Sequence, residues 1–453
     1  MLKSSDNREG LLVWRTFFGR VTINDCINRM NENIKKTRLE NGLTILTEKM
    51  PGVRSATIGF WVKSGSRHEP EHLNGICHFI EHSVFKGTAK RSALDIAVES
   101  DKLGGNFDAF TSHEITGFTM KIVDKCVPQA FDLLADMLAN PRFDEKELKR
   151  EQKVIIEEMK MVEDTPEEYL GELFNRAFFP AHPLGLPIEG TRGTVRTFNH
   201  ETTAAFHAEV FAPENIVISA AGNIEHAQIV DLADKFFANS TNNEQRTTNN
   251  EQRPTIASPI LLKKKRELEQ THLIIATPFV PSNSPQRYAA NLLTNILGGG
   301  TSSRLWQAVR EERGLAYSVG ASAIAFQDCG IFSIYAGTSP KHLAQVVDLS
   351  IAEMRRIVRD GVSVEELELV KEQGVASILL GLESTGVRAG TLARQEIVHG
   401  KTIPIEETLA NIEAVTPDDI QTVAKEFFQT EQIALAALGN LNGFKVERSR
   451  LEV

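Results

Sequence analysis

Residues 78–82 read HFIEH, which places two histidines four positions apart and a glutamate directly before the second. If this segment is helical, His78 and His82 are neighbours on one face and can bind one metal ion through their imidazole nitrogens. Glu81 follows His78 by one turn, so its carboxylate can reach a water molecule beside that ion. The order H-x-x-E-H is a metallopeptidase signature. The alternative is an ordinary buried helix that carries two hydrogen-bonded histidines.

A catalytic zinc site needs a third protein ligand and keeps a fourth position open for water. The residues after Asp144, a suitable N-cap, predict a helix on which Glu151 and Glu158 lie two turns apart on one face. Val154 and Ile155 flank that face, so these carboxylates lie beside the apolar side of the helix. We therefore take Glu158 as the candidate third ligand. A solvated acidic helix surface explains the pattern of Glu158 equally well.

Apolar periodicity predicts the elements that must position these side chains. Apolar residues recur at helical intervals between 73 and 84, whereas residues 56–62 alternate as a half-buried strand does. The predicted helices are 73–86, 92–103, 126–139, 144–163, 285–297, 340–359 and 363–381. Strands are predicted within 106–123, near 270–277 and within 317–336. The expected fold class is α+β, with helices packed on largely antiparallel sheets.

Two distant segments indicate a duplication. Residues 214–224 read ENIVISAAGNI and residues 431–441 read EQIALAALGNL, with five of eleven positions identical at an offset of 217 (431 − 214). Each is an apolar strand-like run that ends at the turn signal Gly-Asn. A repeat of this length indicates two similar domains. Two unrelated strands with a chance likeness are the alternative.

A polar stretch marks the junction between the halves. The hexapeptide TNNEQR occupies 241–246 and recurs at 248–253, and such a segment cannot bury a core. We therefore predict an N-terminal extension over 1–36, a first domain over 37–240, a linker over 241–256 and a second domain over 257–445. The extension mixes basic and acidic residues and lacks the apolar core of a secretory signal.

Composition excludes several classes of function. The chain has 453 residues, 41% hydrophobic and 24% charged, as in a globular protein of two to four domains. No apolar run is long enough to span a membrane. The net charge of −10 argues against nucleic acid as a partner. The four cysteines include no CxxC pair, which fits reduced core thiols and excludes a cysteine-based structural zinc site.

Together, these motifs carry a family resemblance. HFIEH is followed 76 residues later (158 − 82) by Glu158 in EQKVIIEEMKMVEDTPEE, and the chain also contains GGNFDAFTSHEITGF, HPLG and GGGTSSRLWQAVREERGLAYSVGA. The chain resembles the pitrilysin family of zinc peptidases, particularly the group of mitochondrial processing peptidase β subunits and their bacterial homologues. The resemblance covers roughly residues 37–445.

The resemblance assigns roles to the metal-site candidates. It implies that His78, His82 and Glu158 bind one zinc ion per chain and that Glu81 is the general base. Glu151 corresponds to a second acidic residue that supports a ligand. At the offset of 217, His78 and His82 fall on residues 295 and 299 of NILGG, so the second half carries no such site.

The resemblance also implies substrate contacts. Arg310 and Tyr317 correspond to an Arg/Tyr pair that the second half contributes to the substrate. An edge strand that pairs with the substrate backbone corresponds to Phe107, Asp108, Ala109, Phe110 and Thr111. This chain departs from the family pattern at Asp108, where Asn is common, and at Phe118, where Tyr is found. These departures bear on side-chain preference more than on chemistry.

The implied fold is two similar α+β halves that face each other as a clamshell around a chamber. The implied activity is zinc-dependent endopeptidase cleavage of short or unfolded peptides. The implied partners are a peptide substrate and a second subunit, as a homodimer or as a heterodimer with a noncatalytic homologue. From the net charge and the hydropathy we expect no nucleic-acid partner and no membrane span. The expected location is the bacterial cytoplasm, or the mitochondrial matrix if the source is eukaryotic.

Two alternatives to a zinc peptidase stay open. The chain could be a noncatalytic family member that acts as a partner subunit or scaffold, or its metal site could be purely structural.

Overall fold

The computed structural model describes residues 33–237 and 253–453, so most of the expected extension and linker lie outside the described residues. The strands are β1 (Ile34–Arg38), β2 (Thr44–Lys49), β3 (Ser55–Val62), β4 (Asn106–Thr111), β5 (Thr116–Val123), β6 (Ile216–Gly222), β7 (Ile260–Lys264), β8 (Thr271–Phe279), β9 (Ala316–Ala325), β10 (Gly330–Thr338) and β11 (Ala434–Gly439).

The first half contributes the helices α1 (Ile76–Ser83), α2 (Ala93–Leu103), α3 (Val127–Ala139), α4 (Glu145–Asp164), α5 (Pro166–Phe178), α6 (Arg192–Val195), α7 (His200–Val210) and α8 (His226–Phe237). The second half contributes α9 (Arg287–Gly298), α10 (Leu343–Asp360), α11 (Val364–Gly381), α12 (Thr385–His399), α13 (Ile405–Glu413) and α14 (Pro417–Phe427). Within the part of the chain just described, no helix is both long enough and apolar enough to cross a bilayer.

The strands form two sheets of the same design. The first has the order β1-β2-β6-β3-β5-β4 and the second the order β7-β11-β8-β10-β9. In each sheet one pair is parallel, β2 with β6 and β7 with β11, and the other pairs are antiparallel. The expected α+β class with largely antiparallel sheets is confirmed.

The two halves repeat element by element. Strands β2, β6, β3, β5 and β4 take the places in the first sheet that β7, β11, β8, β10 and β9 take in the second. Helices α7 and α14 are related by the same offset that the sequence suggested, since 417 − 200 and 427 − 210 are both 217. The expectation of two similar halves is therefore confirmed, while the domain boundaries stay a prediction.

Each half covers one face of the other half's sheet with a helix. Helix α5 lies on β8 and β11, where its Leu170, Phe174 and Phe178 are buried against the second sheet. Helix α12 lies on β2, β3 and β6, where Leu392 and Ala393 are buried against the first sheet. Because helices cover both faces, β6 and β11 are buried along their whole length and show no alternation of apolar and polar residues.

Polar contacts accompany this exchange. Arg388 on α12 donates a 2.7 Å hydrogen bond to Glu48 on β2, and both side chains are buried. The Thr57 and Thr385 hydroxyls are 2.9 Å apart, which joins β3 to the N-terminus of the same helix. Breaking a buried ion pair by removing one partner costs about 3–5 kcal/mol. The register of α12 on the first sheet is therefore strongly specified.

Candidate metal centre

Helix α1 carries the HFIEH segment and is shorter than the predicted 73–86. It begins after Gly75, whose φ of +94° favours glycine, and a Cβ there would lie 2.5 Å from the Glu189 carbonyl oxygen. A 3₁₀ turn (Val84–Lys86) follows the helix. Ile76, Phe79 and Ile80 anchor α1 in the core, so its polar face is held toward α4.

Glu69 closes the N-terminus of α1 and was not identified from the sequence. Its two carboxylate oxygens accept hydrogen bonds from the backbone N–H groups of Gly75 at 2.7 Å and Cys77 at 2.8 Å. The side chain is buried, and burial raises the pKa of Glu69 to about 7. Carboxylates at helix N-termini are stabilising because they satisfy free N–H groups. Glu69 thus fixes the helix that presents the metal candidates, and only the tertiary fold reveals it.

His78, His82 and Glu158 come together. Each offers one ligand atom, and these atoms lie within 4.8 Å of one another. The His82 Nε2 atom is 3.6 Å from Glu158 Oε2 on α4. Two imidazoles and one carboxylate form a donor set that suits a catalytic zinc ion, and three protein ligands leave a position for water.

The state of His78 fits a ligand as well. Burial, with a smaller effect of His82, lowers the pKa of His78 to about 3, so the ring is neutral at pH 7. Its buried Nδ1 atom has no hydrogen-bond partner within residues 33–237 and 253–453. A neutral imidazole is the form in which histidine binds metals. The residues present therefore fit a metal ion.

Glu151 orients His82 from the side opposite the cluster. Its Oε2 atom is 3.3 Å from His82 Nδ1, and its Oε1 atom is 2.9 Å from Lys86 Nζ. This bond leaves the His82 Nε2 atom facing Glu158. Burial opposes charge on His82, but the Glu151 hydrogen bond and the Glu158 and Glu81 charges outweigh it and raise the pKa of His82. The carboxylates around this ring therefore favour a positive charge at the site, which a bound metal cation would provide.

Glu81 lies on the same helix and is largely buried. The Thr111 hydroxyl donates a 2.7 Å hydrogen bond to its Oε2 atom. Burial raises the pKa of Glu81, assisted by the charges of Glu158 and Asp108 and opposed by the Thr111 bond. A buried carboxylate with a raised pKa is well suited to accept and return a proton.

Strand β4, which holds the predicted substrate strand, is the last strand of the first sheet, and among the described residues it pairs only with β5. Phe107, Ala109 and Thr111 are half-buried on the side of α1, whereas Asp108 and Phe110 are exposed. The unpaired backbone groups of an edge strand are a template for another strand. The structure therefore places this edge next to Glu81.

Arg310 and Tyr317 contact each other in the second half of the chain. The Arg310 guanidinium stacks 4.1 Å from the Trp306 ring centre and 4.8 Å from that of Tyr317. The pair lines a cavity of about 620 Å³, and Tyr317 is 77% exposed. Within the described ranges, no hydrogen bond, ion pair or ring contact joins either residue to His78, His82 or Glu158.

Comparisons with known proteins identify the family of this chain. Residues 44–192 match the family model described as Insulinase (Peptidase family M16), and residues 197–373 match Peptidase M16 inactive domain. A Bacillus subtilis (strain 168) protein named "Uncharacterized zinc protease YmxG" is 38% identical over 405 residues, which is 89% of this chain and 98% of that protein. The chain belongs to peptidase family M16. The resemblance to the pitrilysin family seen in the sequence is thereby confirmed.

Other M16 proteins extend the likeness. A Streptomyces coelicolor "Uncharacterized zinc protease" is 36% identical over 92% of this chain and 91% of its own length. Two crystal structures share the fold with TM-scores of 0.83: a protease from Helicobacter pylori, 20% identical over 90% of this chain and 99% of that one, and a peptidase M16 inactive domain from Pseudomonas fluorescens, 18% identical over 90% and 98%. At these identities the structures support the fold alone.

The two M16 matches divide the site candidates. The three metal candidates, Glu81 and Glu151 all fall within residues 44–192, which match the peptidase model. Arg310 and Tyr317 fall within residues 197–373, which match the model named as inactive. This division agrees with the absence of the HFIEH pattern from the equivalent segment of the second half.

We expect Glu151→Gln to lower zinc affinity by about 10- to 100-fold, the usual effect of losing an outer partner of a metal-binding histidine. The amide keeps the size of the side chain but removes the charge that orients His82. The dissociation constant is measured by competition with a chromophoric chelator. Glu147→Gln, which alters an ion pair with Arg150 on the same helix, is the control and keeps the wild-type constant. Unchanged affinity in Glu151→Gln would show that this carboxylate does not support the site.

Proposed function

We propose that this M16 protein is a zinc-dependent endopeptidase that cleaves short or unfolded peptides. The observation that carries the proposal is the convergence of His78, His82 and Glu158 within 4.8 Å, with the buried carboxylate of Glu81 on the same helix. Relatives that span almost the whole chain carry "zinc protease" in their names, which supports the choice of metal.

In this proposal His78, His82 and Glu158 hold one zinc ion per chain. A zinc ion in such a site polarises the scissile carbonyl and makes water nucleophilic at neutral pH. Glu81 takes the proton of the attacking water and later delivers it to the leaving amine. The Thr111 hydroxyl holds the Glu81 carboxylate in place during both transfers, since it donates to Oε2 in the resting protein.

The substrate joins the first sheet as an additional strand beside β4. Backbone hydrogen bonds to Phe107 through Thr111 then supply affinity, and pockets for alternate side chains supply specificity. This mode requires an extended chain, so folded proteins are poor substrates. Asp108 is exposed on this edge and places a negative charge near the substrate.

Arg310 and Tyr317 complete the substrate site from a second subunit. Within the described residues the pair makes no hydrogen bond, ion pair or ring contact with the metal candidates of its own chain, and Tyr317 is largely exposed, so its hydroxyl can donate to a substrate. We propose a homodimer, or a heterodimer with a noncatalytic homologue, in which this pair faces the partner's metal site. One hydrogen-bond donor to a developing oxyanion contributes about 3–4 kcal/mol.

The alternative is a noncatalytic family member that serves as a partner subunit. The match of residues 197–373 to the family model named Peptidase M16 inactive domain favours it. The intact metal cluster in the first half favours the zinc peptidase instead.

Because the named relatives are bacterial, we place the protein in the bacterial cytoplasm.

A metal-removal experiment tests the function. Purified protein is assayed with a library of internally quenched peptides, before and after dialysis against a chelator. We expect cleavage by the untreated protein, loss of cleavage after chelation and recovery when about one equivalent of zinc per chain is restored. Cleavage that survives complete removal of zinc contradicts the proposal, and a protein that binds zinc but cleaves none of the peptides supports the noncatalytic alternative.

A further inference from the structure

Arg67 is buried where the two halves meet, with 1% of its side chain exposed. One guanidinium nitrogen donates to Glu114 at 2.7 Å and to Asp328 at 2.7 Å, and the other donates to Asp328 at 2.5 Å. Two-contact pairs of this kind are strong and geometrically specific. Arg67 lies in a 3₁₀ turn (Ser66–His68), Glu114 between β4 and β5, and Asp328 between β9 and β10. The Arg67 ion cluster, formed by these three residues, therefore joins three turns from both halves.

Backbone contacts hold the β4–β5 turn, residues 112–115, against the same 3₁₀ turn. The Ser66 N–H donates to the Ser112 carbonyl at 3.1 Å, and the Arg67 N–H donates to the His113 carbonyl at 2.8 Å. A Cβ on Gly65 would lie 2.1 Å from the Ser112 carbonyl oxygen, so only glycine permits this approach. The β4–β5 turn has no room to shift on this side.

The second half holds the β4–β5 turn from the opposite side. The Gln327 N–H donates to Glu114 at 3.0 Å, in addition to the link through Arg67 and Asp328. The His113 and Phe326 rings also meet edge to face, with their centres 5.7 Å apart. The position of the turn therefore depends on the β9–β10 connection of the second half.

Thr111 connects this turn to the reaction centre. It is the last residue of β4, directly before the turn, and its hydroxyl donates to Glu81 at 2.7 Å. A displacement of the turn moves Thr111 and with it the group that holds the Glu81 carboxylate. The route from the second half to the general base thus runs from Asp328 through Arg67, the β4–β5 turn and Thr111.

We propose that Arg67 and Asp328 are positioning residues that lock the β4–β5 turn to the second half and so orient Glu81 through Thr111. The inference rests on the proposed peptidase function for its catalytic consequence. It gives the inactive half a task at the metal site of its own chain, separate from the substrate contacts of Arg310 and Tyr317.

Asp328→Asn tests the lock, because removal of Arg67 itself would leave two carboxylates unpaired. The asparagine keeps the shape of the side chain but weakens its two contacts with Arg67. We expect kcat to fall about 10- to 100-fold at a temperature where the variant is folded, since small misplacements of reacting groups have effects of this size. Zinc content stays at the wild-type level. Asp348→Asn, which weakens the comparable two-contact pair with Arg450 at 2.7 and 2.8 Å, is the control and keeps the wild-type kcat.

Two further measurements separate positioning from general stability. In a Thr111→Val background the Asp328→Asn change should lower kcat less than twofold, because the hydrogen bond to Glu81 is already absent. If Asp328 has a purely structural role, the fold-losses in kcat of the two single variants multiply in the double variant. Hydrogen–deuterium exchange over residues 106–116 should rise in Asp328→Asn and not in Asp348→Asn.

Any one of three results would overturn the inference. These are a wild-type kcat in Asp328→Asn, fold-losses in kcat that multiply in the double variant, and unchanged hydrogen–deuterium exchange over residues 106–116 in Asp328→Asn. A wild-type protein that cleaves no peptide would overturn the proposed function instead. In that case the exchange measurement still decides whether Asp328 locks the turn, because it needs no substrate.

Discussion

Glu81→Gln abolishes peptide cleavage and leaves the zinc content unchanged. Loss of a general base lowers the rate by about 10²- to 10⁴-fold, and glutamine cannot take a proton from water. The amide retains the size of the side chain and an oxygen that can accept the Thr111 hydrogen bond, so the helix and the three metal candidates stay in place. Turnover is measured with a quenched peptide at saturating concentration, and zinc is measured by elemental analysis.

The matched control for this experiment is Glu71→Gln. Glu71 is exposed and lies ten positions before Glu81 (81 − 71), so the change removes the same charge nearby without entering the site. It should retain wild-type turnover. Normal turnover in Glu81→Gln, with zinc bound, would remove Glu81 from the role of general base and direct the search to another proton acceptor.

Glu158→Gln releases the metal. An amide oxygen is a much weaker zinc ligand than a carboxylate, and the two histidines alone leave the ion incompletely coordinated. The loss in affinity should exceed the roughly 100-fold upper range seen when only an outer partner is removed. After dialysis, elemental analysis should find below about 0.1 zinc per chain, compared with about one in the wild type. Cleavage should fall in proportion to the zinc lost.

Glu157→Gln is the control for the ligand variant. Glu157 neighbours Glu158 on α4, but its side chain is 67% exposed and pairs with Lys160. This change should keep both zinc and activity. If Glu158→Gln holds zinc as tightly as the wild type, then Glu158 is not a zinc ligand. Its contact with His82 would then be an ion pair and not a sign of shared metal coordination.

The metal candidates were predictable because their geometry is mostly local. The spacing of His78 and His82 determines their relation on any helix, and the two-turn separation of Glu151 and Glu158 does the same on α4. The packing of α1 against α4, which brings the two sets together, follows only from the fold. The pairing of Glu158 with His78 and His82 was expected from the family resemblance and not from the spacing of the residues.

Residues whose importance is tertiary were missed. Glu69 caps α1 from six positions before Gly75 (75 − 69), but a lone glutamate in a polar loop carries no signal of that role. The Thr111 hydroxyl bond to Glu81 was likewise absent from the prediction, which assigned Thr111 to backbone pairing alone. The Arg67 ion cluster joins residues 261 positions apart, a separation at which sequence spacing is uninformative.

Fold prediction succeeded for the elements with clear periodicity and failed for those defined by the other half. Strands β3, β8 and β11 and helices α3, α4 and α10 lie close to the expected positions. Helices α5 and α12 were not predicted. Their buried side chains face a sheet formed by the opposite half, so the surface that they cover cannot be inferred from the sequence of their own half.

Because α5 and α12 each pack on the sheet of the opposite half, we expect that neither half folds stably alone. A fragment that ends near residue 237 would retain the metal candidates, but it would expose to water the sheet face that α12 covers, and its α5 would lose the face of the second sheet that it covers. Such a fragment should aggregate unless the complementary fragment is co-expressed with it. A half-length ancestor of this architecture would accordingly have folded as a helix-swapped dimer. Fusion of two copies of its gene would then have placed both halves of that dimer in one chain.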